Sequence, residues 1–308
     1  METALQIKGL CKTFGHTPII KNVSFDVYKG EVFGFLGPNG AGKTTTIKMV
    51  MGFLSPDKGE IIINGTDIKD NYEKAMSNLG GIVENPEMYK ELTGRTNLKM
   101  YARLHNVSEG RINQVITLVG MSQRIDEKVK RYSLGMKQRV GLAQAILHNP
   151  RVLILDEPTN GLDPAGIKEL RDILCHLAHN EGVAVIVSSH LLSEMELMCD
   201  RVGIISNGVM LGVQPIKDLL QTANGGTVSF RFIVKDTAKA MDVLKDTYAK
   251  AVTNVTAGYI DINVPYEHIP AINKILVNGD VPVFGINQNT SSLEEAFMKI
   301  VQRGGFYA

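Results

Sequence analysis

The stretch that most constrains this chain is residues 32–45, Val32-Phe33-Gly34-Phe35-Leu36-Gly37-Pro38-Asn39-Gly40-Ala41-Gly42-Lys43-Thr44-Thr45. An apolar run of strand character stops at Gly37, a glycine-rich turn follows, and a helix is expected from near Lys43. Gly37, Gly42, Lys43 and Thr44 fit the phosphate-loop pattern G-x-x-x-x-G-K-[ST]. Glycines let successive backbone N–H groups turn inward and form a concave anion nest. The helix that starts there adds its positive dipole end. Lys43 then reaches the terminal phosphates and the Thr44 hydroxyl is a ligand for Mg²⁺, while Pro38, Asn39, Gly40, Ala41 and Thr45 complete the cradle. The rest of the chain is read as equipment for a bound nucleoside triphosphate.

Upstream, residues 5–35 read as short strands, with Val23, Phe25 and Val27 alternating with polar neighbours. Phe14, in Thr13-Phe14-Gly15-His16, is placed either to stack on an adenine ring or to pack into the small sheet. A helix is expected over residues 43–53, and Asn64-Gly65 after Ile61-Ile62-Ile63 is a tight hairpin signal. Residues 80–84 look like a strand ending in the carboxylate of Glu84. Residues 92–147 are helical in pattern, broken by loops, with Thr93 as an N-cap.

Val152-Leu153-Ile154-Leu155 suits a strand buried on both faces of a parallel sheet, and it ends in Asp156-Glu157. A helix over about 164–178 leads to a second buried strand, residues 183–187, ending at Ser188-Ser189-His190. Strands alternating with helices, with polar groups at the strand ends, indicate an open parallel α/β sheet with ligands bound at those ends. After a phosphate loop, Asp156 is expected to hold Mg²⁺ and Glu157 to polarise the attacking water. Composition shifts at Gln221-Thr222-Ala223-Asn224-Gly225-Gly226, read as a linker. Beyond it, strands near 227–234, 251–256, 259–264 and 281–286 alternate with helices in the order of a split β-α-β sandwich, with a final helix.

Composition narrows the setting. The chain of 308 residues is 44% hydrophobic and 21% charged with a formal net charge of +1, which argues against a nucleic-acid surface or an acidic tail. No stretch reaches the roughly 20 consecutive apolar residues of a membrane span, and the start has no signal-peptide pattern. Cys11, Cys175 and Cys199 form no C-x-x-C pair and suit a reduced compartment as buried or incidental thiols. Any membrane role is therefore that of a peripheral subunit.

The run Asp156-Glu157-Pro158-Thr159-Asn160-Gly161-Leu162-Asp163-Pro164, together with the phosphate loop, resembles the ATP-binding cassette (ABC) ATPases, the nucleotide-binding subunits of ABC transporters. The resemblance covers residues 1–220. It implies a P-loop NTPase ABC cassette over residues 1–221, with a mostly parallel core sheet, an antiparallel β subdomain and a helical subdomain at about 85–150. A small α+β ferredoxin-like accessory domain would follow over 222–308. The resemblance further implies that Asp163 contacts a partner subunit, that His190 is the switch histidine on the γ-phosphate, and that Phe14 is the adenine-stacking aromatic. The family signature L-S-G-G-Q stands here as Tyr132-Ser133-Leu134-Gly135-Met136, so Ser133 and Gly135 remain as donors to a γ-phosphate across a dimer interface. Glu84 replaces the usual glutamine of the loop that links Mg²⁺ to the transmembrane partner. It keeps an oxygen for the metal and the water but loses the amide donor.

Glu84 and the altered signature are similar to the branch containing bacitracin-type resistance exporters and lantibiotic self-immunity transporters, and Ser291-Ser292-Leu293-Glu294-Glu295-Ala296-Phe297 resembles its C-terminal ending. The function implied is ATP hydrolysis, with ATP and Mg²⁺, powering antibiotic export through a separate permease. A second ATP-binding subunit, identical or related, would complete two sites head to tail at the cytoplasmic face of the membrane, with no nucleic-acid partner. Two other readings stay open: a regulatory ATP-binding half of a heterodimer, and a soluble ABC ATPase without a transport role.

Overall fold

A computed structural model describes residues 2–84, 86–189, 192–223 and 228–289, together with residues 297, 300 and 301. Two compact units divide the chain, Met1–Ile216 and Lys217–Ala308.

The first unit opens with a long hairpin, β1 (Thr3–Phe14) and β2 (Thr17–Tyr28), joined at Gly15-His16. These strands are longer than the short strands expected for residues 5–35. Gly9 at φ 59° lies where the β1–β2 register shifts, and such bulges let a strand continue after its alternation lapses. After β3 (Val32–Leu36) and α1 (Lys43–Val50), β4 (Lys58–Ile63) pairs with β1, and β5 (Thr66–Asp67) closes a four-stranded antiparallel sheet of order β2-β1-β4-β5. Asn64 at φ 46° and Gly65 at φ 75° supply the two positive φ values of the turn between β4 and β5. Helix α1 stops three residues before the expected end at 53. Gly52 takes φ 73° and the Phe53 N–H returns to the Lys48 carbonyl at 2.9 Å, a glycine-terminated helix end.

The second sheet holds six strands in the order β10-β9-β3-β8-β7-β6. Its members besides β3 are β6 (Leu79–Ile82), β7 (Val152–Asp156), β8 (Ala184–Ser189), β9 (Arg201–Ser206) and β10 (Val209–Pro215). All neighbours from β9 through β6 run parallel, and β10 returns antiparallel on β9. Every residue of β3, β7 and β8 is buried, as a parallel strand covered on both faces requires. Gly34 sits where a Cβ would come within 2.9 Å of the buried Cys199 sulfur, so the glycine makes room for that thiol. Burial pushes the Cys199 thiol strongly up, and Cys11 and Cys175 are half-buried free thiols.

Helix α2 (Tyr72–Met76) precedes β6. Between β6 and β7 come α3 (Gly94–Leu104), α4 (Glu109–Leu118) and α5 (Leu134–Ile146), and α6 (Pro164–His179) links β7 to β8. Their starts are set by side-chain caps: Thr93, Ser108, Ser133 and Asp163 accept the N–H groups of Thr96, Arg111, Met136 and Gly166. Short α7 (Leu192–Glu196) precedes β9. Both sheets share one core, in which the Phe25 ring stacks on Phe33 and Phe35 at centroid separations of 5.2 and 5.3 Å.

The second unit begins inside α8 (Ile216–Ala223), not after residue 221. Gln221, Thr222 and Ala223 of the expected linker are helical, and residues 224–227 lie outside the described residues. There follow β11 (Val228–Val234), α9 (Thr237–Leu244), β12 (Val252–Thr256), β13 (Tyr259–Val264), α10 (Ile269–Asn278) and β14 (Val283–Asn289). The strands form an antiparallel sheet of order β12-β13-β11-β14, the ferredoxin-like arrangement of the split β-α-β repeat. Phe230, Phe232, Ile260 and Ile262 face Ala240, Leu244, Ile272 and Leu276 in a separate core. Residues 297, 300 and 301 are helical, while residues 291–296 of the branch-like ending lie outside the described residues.

Candidate functional site

The register of the parallel sheet gathers the candidate residues at one edge. Leu36 pairs with Ser189, Ser188 with Asp156, and Leu155 with Ile82. The carboxyl ends of β3, β8, β7 and β6 therefore lie side by side, and the loops leaving them share the position where open α/β sheets bind ligands. His190 follows Ser189 directly and lies outside the described residues.

The loop over residues 37–42 is held close to the sheet. A Cβ at Gly37 would fall 2.4 Å from the Ile205 carbonyl on β9, so only glycine fits. Gly42, at φ 107°, is the N-cap of α1 and supplies no side-chain cap, which leaves N–H groups of the first turn for an anion. Pro38, Asn39 and Gly40 are exposed, Ala41 is buried, and Thr44 and Thr45 are half-buried in the first turn. The Lys43 side chain, only 7% exposed, folds across the loop. Its Nζ donates to the Gly37 carbonyl at 2.7 Å and lies 3.7 Å from Glu157 Oε1.

Asp156 is buried at the end of β7 and its Oδ1 accepts the Ser188 hydroxyl at 2.5 Å. Glu157 takes φ 50°, and its N–H meets both Ser188 Oγ at 2.9 Å and the Ser188 carbonyl at 3.2 Å. A left-handed conformation costs a non-glycine residue about 1–3 kcal/mol and persists where surrounding contacts fix it. Glu84 is a second such carboxylate, at φ 65°. It is exposed, and its Oε1 pairs with Lys48 Nζ on α1 at 2.9 Å.

The remaining candidates sit apart from this cluster. Phe14 is 49% exposed at the tip of the β1–β2 hairpin, with Lys12 Nζ 5.7 Å from its ring centroid. Ser133 Oγ caps α5 by accepting the Met136 N–H at 3.2 Å, and Asp163 caps α6. The two helix starts approach each other: a Cβ at Gly161 would lie 2.6 Å from Leu134, and one at Gly135 would lie 3.5 Å from Leu162. Sequence reasoning singled out neither Ser188 nor Lys48. A hydroxyl at the end of an otherwise apolar buried strand was the available signal for Ser188.

This donor set fits a triphosphate with Mg²⁺. The loop presents N–H groups and a lysine, and Thr44, Asp156 and Glu84 offer hard oxygens. No group of three His, Cys, Asp or Glu residues that could hold a metal exists among the described residues.

A family profile described as ABC transporter matches residues 20–160. The chain is 47% identical over 301 residues to the uncharacterized ABC transporter ATP-binding protein YhcH of Bacillus subtilis, covering 97% of this chain and 96% of that protein. It is 36% identical to the bacitracin transport ATP-binding protein BcrA of Enterococcus faecalis, covering 99% and 98%. A solved structure titled as the ATP binding subunit of an ABC transporter superposes with a TM-score of 0.66 at 31% identity, over 73% of this chain and 94% of that one. No helix among the described residues is long and apolar enough to cross a membrane. The chain belongs to the ABC transporter ATP-binding proteins, ATPase subunits that bind ATP with Mg²⁺ and pair with a membrane permease.

Proposed function

We propose that this chain is the motor of an exporter that removes an antimicrobial peptide or antibiotic of the bacitracin or lantibiotic type. It works as a peripheral subunit at the cytoplasmic face of the membrane. The observation that carries the reading is the meeting of Lys43 with Glu157, and of Asp156 with Ser188, at the carboxyl ends of three parallel strands. Near full-length similarity to BcrA supports the substrate class.

In this reading Phe14 stacks on adenine, and the loop over residues 37–42 with Lys43 and Thr45 holds the phosphates. Thr44, Asp156 and Glu84 would hold Mg²⁺, which would screen the phosphate charge. Glu157 takes the proton of the attacking water and His190 supports the charge growing on the γ-phosphoryl oxygens. Ser133 and Gly135 reach the γ-phosphate held by a second subunit, and Asp163 lies at the same interface. Triphosphate thus joins two cassettes, and its cleavage releases them.

Movement passes to the permease through the loop after Glu84. Pro86 packs against α5 where a Cβ at Gly141 would lie only 2.5 Å away. Beside it a cavity of about 240 Å³ is lined by residues of this loop, Pro86, Met88 and Lys90, and by Leu134 and Lys137 of α5. Tyr89 is exposed on the same loop. This groove would receive a permease segment, so that motion at Ser133 and Gly135 is felt by the partner.

The test is to purify the chain from membranes, identify the co-purifying permease, and express the pair in a sensitive host. Resistance to bacitracin or a lantibiotic with the wild-type chain, lost with Glu157→Gln, is the expected result. Equal sensitivity with and without the pair overturns the exporter reading.

A further inference from the structure

We propose that Ser188 is a positioning residue for ATP hydrolysis, which sets the Asp156 carboxylate and the Glu157 backbone with one hydroxyl. The inference rests on the roles given above to Asp156 and Glu157.

Ser188 lies on β8 directly across from Asp156 on β7, and none of its surface is exposed. A hydroxyl buried so deeply must find partners inside the protein. Its one donor and one of its two acceptor positions go to the acidic pair. The O–H donates to Asp156 Oδ1 at 2.5 Å, within the range of charge-assisted O–H···O⁻ bonds. The same oxygen accepts the Glu157 N–H at 2.9 Å.

Each bond has its own consequence. The donated proton occupies one oxygen of Asp156 and fixes the rotation of its carboxylate, which sets where the other oxygen points. The accepted N–H anchors Glu157 at φ 50°, where β7 breaks off. Glu157 Oε1 then lies 3.7 Å from Lys43 Nζ on the phosphate loop. An alanine at 188 keeps the strand but leaves Asp156 Oδ1 without this donor. It also removes the shorter of the two bonds from the Glu157 N–H to Ser188 and leaves the 3.2 Å one to the Ser188 carbonyl. Metal-side and water-side carboxylates would then lose their common reference together.

The test uses the full chain with Ser188→Ala and Ser188→Thr, the latter restoring a hydroxyl on a β-branched side chain suited to a strand. For Ser188→Ala, kcat is expected to fall about tenfold or more with KM for ATP within about threefold, the pattern of a misplaced reacting group. A second readout does not depend on turnover: ATP binding titrated against Mg²⁺ in a Glu157→Gln background. There Ser188→Ala is expected to need roughly threefold or more Mg²⁺ at half-saturation while ATP binding in EDTA is unchanged, and Ser188→Thr to return both readouts toward wild type. Wild-type kcat and Mg²⁺ response in Ser188→Ala overturn the proposal. So does an equal loss of ATP binding with and without Mg²⁺, which marks a purely structural serine. A wild-type chain without ATPase activity would instead strike the functional reading, and the Mg²⁺ titration would still judge Ser188.

Discussion

Lys43 Nζ lies 3.7 Å from Glu157 Oε1 although the two residues leave different strands, β3 and β7, with β8 between them. The side chains are 7% and 20% exposed, so solvent screens the pair little. In the proposed site, a carboxylate this close to Lys43 also opposes the negative charge of a triphosphate. Glu157→Gln should therefore retain or strengthen ATP binding. It should also lose the proton acceptor for the attacking water, a change worth about 10²–10⁴ in rate for a positioned general base. Steady-state phosphate release and size-exclusion chromatography with ATP and Mg²⁺ check this. The expected outcome is near-complete loss of turnover with accumulation of a dimer, and unchanged turnover excludes Glu157 as the base.

Lys43→Ala isolates the other half of the pair. The lysine donates to the Gly37 and Pro38 carbonyls at 2.7 and 3.5 Å, so it closes the loop, and in the proposed site it also carries charge toward the phosphates. Hydrogen bonds to charged groups contribute about 1.5–3 kcal/mol, or roughly 10- to 100-fold in affinity. A binding titration of Lys43→Ala should show a loss of that order, and wild-type affinity would contradict the cradle.

What could be read from the sequence was what local rules dictate. The phosphate loop, the Asn64-Gly65 turn and the Thr93 cap each follow from the backbone needs of a few adjacent residues. The carboxylates at 156 and 157 were legible because a buried parallel strand announces its end. Ser188 was not, since its role depends on the β7–β8 register, which joins residues far apart in sequence. Lys48 was hidden for the same reason, facing Glu84 across α1 and the end of β6. The helical state of 221–223 was hidden because polar Gln221 and Thr222 masked the last turn of α8, a helix with buried Ile216 and Leu219.

Glu84 and Lys48 form an exposed ion pair, with side-chain exposures of 66% and 40%. Such pairs contribute about 0–1 kcal/mol, so neither Glu84→Gln nor Lys48→Ala should shift stability beyond that. Glu84→Gln keeps one oxygen for Mg²⁺ but removes a charge and breaks the tie to α1. ATP binding should stay within about threefold of wild type, a change near 0.6 kcal/mol, while the ratio of substrate moved to ATP cleaved by the reconstituted complex changes. An unaltered ratio would make Glu84 a neutral replacement for glutamine.

His148, between α5 and β7, is expected to contribute to an acid response of the first unit. Burial is the main cause that holds its pKa below the usual histidine value. The Leu79 carbonyl, 3.0 Å from Nε2, acts the other way, and His105, stacked on its ring at a centroid separation of 4.8 Å, adds to the lowering. The folded state therefore favours neutral imidazole. Above the unfolded value near 6.5 that contribution is fully present. As pH falls below it, the unfolded chain takes up the proton while the folded chain resists, and stability is lost until the folded pKa is passed. Thermal melts at pH 7.5 and 5.5 should show a lower Tm at the acid value, and His148→Asn should reduce the difference. An asparagine at 148 can still donate to the Leu79 carbonyl, so the variant keeps that contact while removing the titration. An acid shift of the same size in both proteins would place the sensitive group elsewhere.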